Sequence, residues 1–391
     1  MNVILFDQEQ SWKNLLPLTY TRPISEIRIG ILTIKEKWDL ELNTVCSYLT
    51  KSYLNHKFPL KEETNSLFIN GGLCPNAELL IEIKKLKPQQ VLLKNNLILA
   101  LVGASKDLNA IHAIEKIEFS GEVLLVKNVW DIFQKNGDAL KLDFELLTKN
   151  KKSQALSNSV TVIGDKNLVF LEEGAKAEAC ILNTTAGPIY LAKDAEIMEG
   201  SVVRGPFSLG EHSALKLSTK IYGPTTIGPH CKVGGEVNNS VIFGYTNKAH
   251  DGFLGNSVIA EWCNLGADTN NSNLKNNYGN VKLFNYAQSK MVDSGLQFCG
   301  LIMGDHSKSG INTMFNTGTV VGVAANIFGG GFPDTHIPSF RWGGSEGFEI
   351  YRLEKLFETA EKVFERRSLK FNTTEKEILT SVFNLTKEFR R

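Results

Sequence analysis

Eight apolar residues at a strict spacing of six decide the reading of this chain: Leu191, Ile197, Val203, Leu209, Leu215, Ile221, Ile227 and Val233. Several are followed by glycine, as in Leu209-Gly210, Ile227-Gly228 and Val233-Gly234. Neither a helix of period 3.6 nor a strand of period 2 produces that register. A six-residue step with an aliphatic side chain turned inward describes a solenoid whose coil has three short flat faces, the hexapeptide class of β-helix. The step resumes at Ile259 and Leu265, and again through Met303, Ser309, Phe315, Val321 and Ile327. An antiparallel sandwich would instead alternate along each strand.

Between about Gly266 and Leu301 the period fails, in a polar stretch from Asn270 to Asn280 followed by Val281 to Gly295. An insertion in a solenoid leaves the coil as a loop, and such loops commonly carry function. Upstream, Val3–Phe6, Leu67–Asn70, Leu97–Val102 and Glu122–Val126 read as strands, and Ala77–Leu86 and Leu108–Ile117 as helices. That alternation predicts an α/β head with a mostly parallel sheet. The polar run from Lys149 to Asn158 marks a boundary. After Gly347, Ile350, Leu353, Leu356, Phe357, Ala360, Val363 and Phe364 recur at helical spacing, and Thr374-x-x-Glu377 offers a capping box before Ile378, Leu379, Val382 and Phe383. The expected organisation is an α/β head over 1–155, a β-helix over 156–345, and C-terminal helices over 346–391 packed on the coil.

The chain has 391 residues, with 43 Lys+Arg against 42 Asp+Glu, a net charge of +1. There is no global basic field for binding nucleic acid. No run of about 18 apolar residues is present, which predicts no membrane span and a cytoplasmic protein. The six cysteines, Cys46, Cys74, Cys180, Cys231, Cys263 and Cys299, form no C-x-x-C pair and read as reduced thiols.

A set of blocks in the coil carries a resemblance: His250-Asp-Gly-Phe-Leu-Gly-Asn256, Cys263-Asn-Leu-Gly-Ala267, Ser272-Asn-Leu-Lys275, Val292-Asp-Ser-Gly295 and Gly304-Asp-His-Ser-Lys-Ser-Gly-Ile-Asn312. In order and spacing they resemble the bifunctional sugar-1-phosphate nucleotidyltransferase/acetyltransferase family, which implies a left-handed parallel β-helix and acetyl-CoA as co-substrate. The resemblance places the acetyl-transfer base at His250. Such chemistry needs a group near neutral pKa, because the amine attacks the thioester only as the free base, a role worth about 10²–10⁴-fold.

By the same resemblance Phe253, Asn264 and Lys275 stand at sugar-contacting positions, and Asn273, Leu274, Gly310 and Ile311 at acetyl-CoA contacts. Where the family has a phosphate-holding Arg and a Lys on the next coil, this chain has Tyr222 and Asn238; Lys216, Lys220 or Lys248 are candidates to replace that charge. Arg341 is a candidate for a CoA phosphate, and His336 for a functional role.

In the head, the strand Val3–Phe6 and Pro17-Leu-Thr-Tyr-Thr-Arg-Pro23 resemble the start of a nucleotidyltransferase, but Asp7 to Leu15 between them contains no glycine. Glycine-rich loops let backbone N–H groups approach phosphates. Asn70 stands where a magnesium-binding Asp is expected, and an amide is a poor replacement for a carboxylate. Lys13, Arg22 and Glu26 are the candidate phosphate partners there. The resemblance thus implies an N-acetyltransferase on an amino-sugar phosphate or nucleotide sugar, working as a homotrimer whose 270–300 insertion reaches a second subunit. The alternatives are a bifunctional enzyme, with magnesium-dependent nucleotidyl transfer in the head, and a non-catalytic trimeric sugar- or nucleotide-binding protein.

Overall fold

The computed structural model describes residues 2–390. The head carries a six-stranded sheet in the order β2-β1-β3-β6-β5-β7, from β1 (Val3–Phe6), β2 (Ser47–Leu49), β3 (Ser66–Asn70), β5 (Gln90–Lys94), β6 (Leu97–Gly103) and β7 (Glu115–Glu118). A two-stranded antiparallel pair, β4 (Leu73–Cys74) and β8 (Leu124–Leu125), lies beside it and is all that forms of the strand expected at 122–126. Five helices belong to the head: α1 (Glu9–Asn14), α2 (Ile34–Leu42), α3 (Ala77–Lys85), α4 (Val129–Gln134) and α5 (Asn136–Thr148).

The sheet is mostly parallel, as expected: β1, β2, β3, β5 and β7 run one way and β6 alone is reversed. The cause is the turn Asn95-Asn96, both residues at positive φ (50° and 64°), the geometry of a tight hairpin. The helix expected over 108–117 is corrected. Two 3₁₀ turns (Ser105–Asn109 and Ile111–Ala113) precede β7, which joins β5 as a parallel edge strand. A lone short helix is marginal, and the ladder satisfies the same backbone groups.

The coil begins at Thr161 and stacks three parallel sheets of nine, ten and six strands, the ten-stranded one ending in an antiparallel hairpin of Arg341–Gly344 with Gly347–Ile350. All eight residues of the six-step series are at most 1% exposed and fill one interior. Burying them supplies on the order of 2 kcal/mol each. The glycines after them sit where successive coils touch. A Cβ on Gly228 would lie 1.2 Å from the carbonyl oxygen of Phe243, so no larger residue fits.

The head covers one face only. Outward residues of the nine-stranded sheet, Phe170, Tyr190, Ser208, Thr226, Val241 and Val258, are buried, whereas outward residues of the six-stranded sheet, such as Ile181, Val202 and Tyr222, are exposed. Thr226 Oγ1 donates to the carbonyl of Gly30 (2.8 Å), and Arg22 forms a buried ion pair with Asp305 and reaches Glu261 at 3.3 Å.

The insertion leaves the coil after Asn271 and includes a hairpin, Lys282–Asn285 with Lys290–Asp293. The hairpin's aromatic residues pack on their own chain. Phe284 stacks on His336 (3.6 Å between centroids) and Tyr286 packs against Tyr20 and Phe389. His336 is thereby a packing residue, with burial pushing its pKa down to about 4.

Helices α6 (Leu353–Glu365) and α7 (Thr373–Leu385) bridge coil and head: Phe364 stacks on Trp262, and Lys57 of the head pairs with Glu375 at 2.7 Å. The N-cap of α7 is Asn372, whose side chain accepts from the Glu375 N–H at 3.0 Å. Thr374 therefore lies inside the first turn, and the helix is capped two residues before the expected position. No helix among the described residues is long and apolar enough to cross a membrane.

Candidate active site

On the ten-stranded face, Lys232, Asn247, Asn264 and Lys308 stand in register on four successive coils. Each precedes an inward-facing residue, so each projects outward. His250 follows at the corner after Lys248. Together with Tyr245, these side chains line a cavity of about 430 Å³ whose opposite wall is the end of α6, with Val363, Arg366 and Arg367.

Two features fix α6 against this face. One corner of the coil carries a column of rings held at positive φ, in which His212, His230, Tyr245 and Trp262 stack in succession with centroids 5.1, 4.7 and 4.2 Å apart. Phe364 of α6 continues the column against Trp262 at 4.0 Å. Arg367 then reaches across the cavity to donate to Asn247 Oδ1 at 3.3 Å.

The electrostatics are one-sided. Four cations line the cavity and no carboxylate does. Among the described residues Lys232, Lys308, Arg366 and Arg367 take part in no ion pair within 4.0 Å. Burial depresses the Lys308 pKa. Behind this wall His306 is buried, with its pKa pushed down to about 3 by desolvation, and the adjacent Asp305 carboxyl, itself disfavoured by burial, is held below its usual range by Arg22.

His250 and Asn264 are thus brought together. Tyr222 and Asn238 pair in register on the neighbouring six-stranded face, where Asn238 opposes Gly255 and Phe253 opposes Glu236. Asn273 Nδ2 donates to Asn256 Oδ1 at 2.8 Å, and Leu274 bridges to Phe298. Lys275 spends its ammonium on the carbonyl of Asn280 at 2.6 Å. Gly310 lies against Gly266, while Ile311 is exposed. Arg341 donates weakly to the Phe348 carbonyl at 3.4 Å.

Of the lysines considered as replacement charges, Lys248 is corrected. It points into the coil, where its Nζ donates to the carbonyls of Gly234 (3.0 Å) and His250 (2.8 Å). Lys216 and Lys220 do not line the cavity. In the head, Arg22 is committed to Asp305 and Glu261, and Glu26 accepts from the Tyr48 hydroxyl. Asn70 is spent on Ile98 and Gly72, and Lys13 pairs with Glu9 at 3.2 Å. The carboxyl at the C-terminal end of β1 is Asp7. It accepts from the Ile24 N–H (2.8 Å) and from Thr50, and burial raises its pKa to about 7.

The residues missed by sequence were the four cations. Lys232 and Lys308 were legible as outward neighbours of inward positions; Arg366 and Arg367 join them only through the packing of α6.

Residues 3–152 match the family model described as sugar nucleotidyl transferase. The chain is 28% identical over 221 residues (56% of this chain, 48% of the relative) to a bifunctional sugar-1-phosphate nucleotidylyltransferase/acetyltransferase of Sulfurisphaera tokodaii. It is 27% identical over 280 residues (68% and 56%) to the bifunctional protein GlmU of Methanococcus maripaludis. These matches span about half the length of the curated relatives. Among solved structures, an Arabidopsis UDP-N-acetylglucosamine acyltransferase aligns over 59% of this chain and 90% of its own, at 19% identity and a TM-score of 0.26. The head is thus matched by the sugar nucleotidyl transferase model, and the chain as a whole is similar over part of its length to a relative named as a bifunctional sugar-1-phosphate nucleotidylyltransferase/acetyltransferase.

Proposed function

We propose that the chain is an acyl-CoA-dependent N-acetyltransferase acting on an amino-sugar phosphate or a nucleotide amino sugar, with His250 as general base. The observation that carries this reading is the meeting of His250 and Asn264 in one cavity with four unpaired cations. The acceptor's amine nitrogen attacks the thioester carbonyl carbon, the C–S bond breaks, and the thiolate leaves. His250 takes the proton that the nitrogen gives up and returns it to the departing sulfur. The homotrimeric assembly expected from sequence belongs to the same proposal.

The test is thiol release from acetyl-CoA across a panel of amino-sugar phosphates and nucleotide amino sugars. His250→Ala should lower turnover by about 10²–10⁴-fold. Turnover unchanged in that variant would overturn the assignment of the base.

A second reading is favoured by the match of residues 3–152 to the nucleotidyl transferase model: sugar-1-phosphate nucleotidyl transfer in the head. Ligands of open α/β sheets bind beyond the carboxyl ends of the strands, where Asp7 stands. Among the described residues no group of three His, Cys, Asp or Glu side chains is placed to hold a metal. Magnesium is commonly held by one or two carboxylates plus substrate phosphates, and Asp7 is the carboxylate at that strand end that would hold it. Pyrophosphate release from a nucleoside triphosphate and a sugar phosphate, lost in Asp7→Asn, is the expected result; a head that releases none would end this reading.

A further inference from the structure

We infer that Lys232, Lys308, Arg366 and Arg367 form a phosphate-ester site, and that the two arginines at the end of α6 are the specificity-determining residues of the cavity that holds His250. The inference rests on the acyl-transfer reading for which molecule enters, but the site stands on its own geometry.

The four side chains come from three places far apart in sequence: two coils of the solenoid and the C-terminal helix. Their convergence around one concavity of about 430 Å³ without a carboxylate is unfavourable, because like charges repel and Lys308 loses solvation there. A favourable interaction of a helix C-terminus with cations accounts for an arginine at the end of α6. It does not account for two lysines facing it from the coil. A bound anion relieves all four.

The chemistry of the ligand follows from the donors. Arg366 and Arg367 present planar forks suited to two oxygens of one phosphate, whereas Lys232 and Lys308 act as point charges. The Arg367 guanidinium is already oriented across the cavity by Asn247 Oδ1. Phe364, stacked on Trp262, holds the helix end in place, so Arg367 meets the ligand with little ordering cost.

The phosphate could belong to the acceptor or to CoA, and the experiment separates the two. Binding of glucosamine-1-phosphate, glucosamine, CoA and dephospho-CoA to the full chain is measured by calorimetry at low and high salt. Wild type is compared with Arg366→Gln/Arg367→Gln and with Arg366→Lys/Arg367→Lys, with far-ultraviolet circular dichroism confirming that α6 is retained. The glutamine variant should lose about 10- to 100-fold in affinity for one phosphorylated ligand and nothing for its dephosphorylated partner. The lysine variant should recover part of that loss. Loss confined to glucosamine-1-phosphate assigns the site to the acceptor, and loss confined to CoA over dephospho-CoA assigns it to the co-substrate; either supports the site.

Unchanged affinity for both phosphorylated ligands in a folded glutamine variant would overturn it, even if thiol release proceeds. Phosphate binding that depends on the arginines, combined with turnover indifferent to His250→Ala, would keep the site and remove the base.

Discussion

Lys248 Nζ donates to the carbonyl oxygen of His250 at 2.8 Å from inside the coil, so a buried ammonium fixes the corner that presents the candidate base. Lys248 pairs in register with the inward Val233 on one side and stands in the column that Leu215 and Ile197 occupy on the preceding coils. Its second bond, to Gly234, ties two coils together at that corner.

Desolvation lowers the Lys248 pKa to about 8, against the smaller opposing pull of Asp251 and Asp268. Because the folded-state value lies below the unfolded one, the protein is penalised where the amine is charged, and stability rises as pH increases from about 8 to about 10.4. The expected gain is on the order of 3 kcal/mol. Denaturant midpoints across that window should climb in wild type and stay flatter in Lys248→Met. A wild-type curve as flat as that of the methionine variant would contradict the assignment.

Arg22 joins the head to the coil through Asp305, with Thr21 also donating to that carboxylate. Removing the guanidinium strands a buried charge, so Arg22→Met should cost about 3–5 kcal/mol. Since Asp305 is held low by Arg22, its contribution is present above the ordinary carboxylate range and fades only as pH falls through its depressed folded value. Denaturant melts should show this loss at neutral pH. An unfolding midpoint within error of wild type would mean that the contact is replaced by water at little cost.

Gly228→Ala and Gly330→Ala make a matched pair. The first places a methyl group against the Phe243 carbonyl, whereas nothing lies within 4 Å of a Cβ at Gly330. Overpacking costs typically about 1–3 kcal/mol and more against backbone, so the first should lower the thermal midpoint and the second leave it nearly unchanged. Equal midpoints would show that the coils separate without penalty.

Asp7 behaves in the opposite sense to Lys248. Burial raises its pKa to about 7, so its contribution is complete below about 3.9 and is lost as pH rises through 7. Asp7→Asn keeps an oxygen for the Ile24 N–H, and should therefore be more stable than wild type at pH 8 and not at pH 4. Chemical denaturation at both values decides it; equal differences at the two would remove the titration.

The six-residue step by itself determined the coil, its interior and even which residues face outward, because in a parallel ladder every inward position is followed by the same position one coil on. His250 and Asn264 were marked by the resemblance of their blocks rather than by the step, because the coils there are 15 and 17 residues long instead of 18. The sequence did not determine which of three equivalent faces the head would cover. Phe170, Tyr190 and Thr226 are no more apolar as a set than Ile181, Val202 and Tyr222, yet only the first set is buried. Nor did it bring Arg366 and Arg367 to the lysines. That arrangement depends on Phe364 finding Trp262 across about a hundred residues of chain, a contact between side chains whose apolar character is local but whose partner is chosen by the packing of the whole.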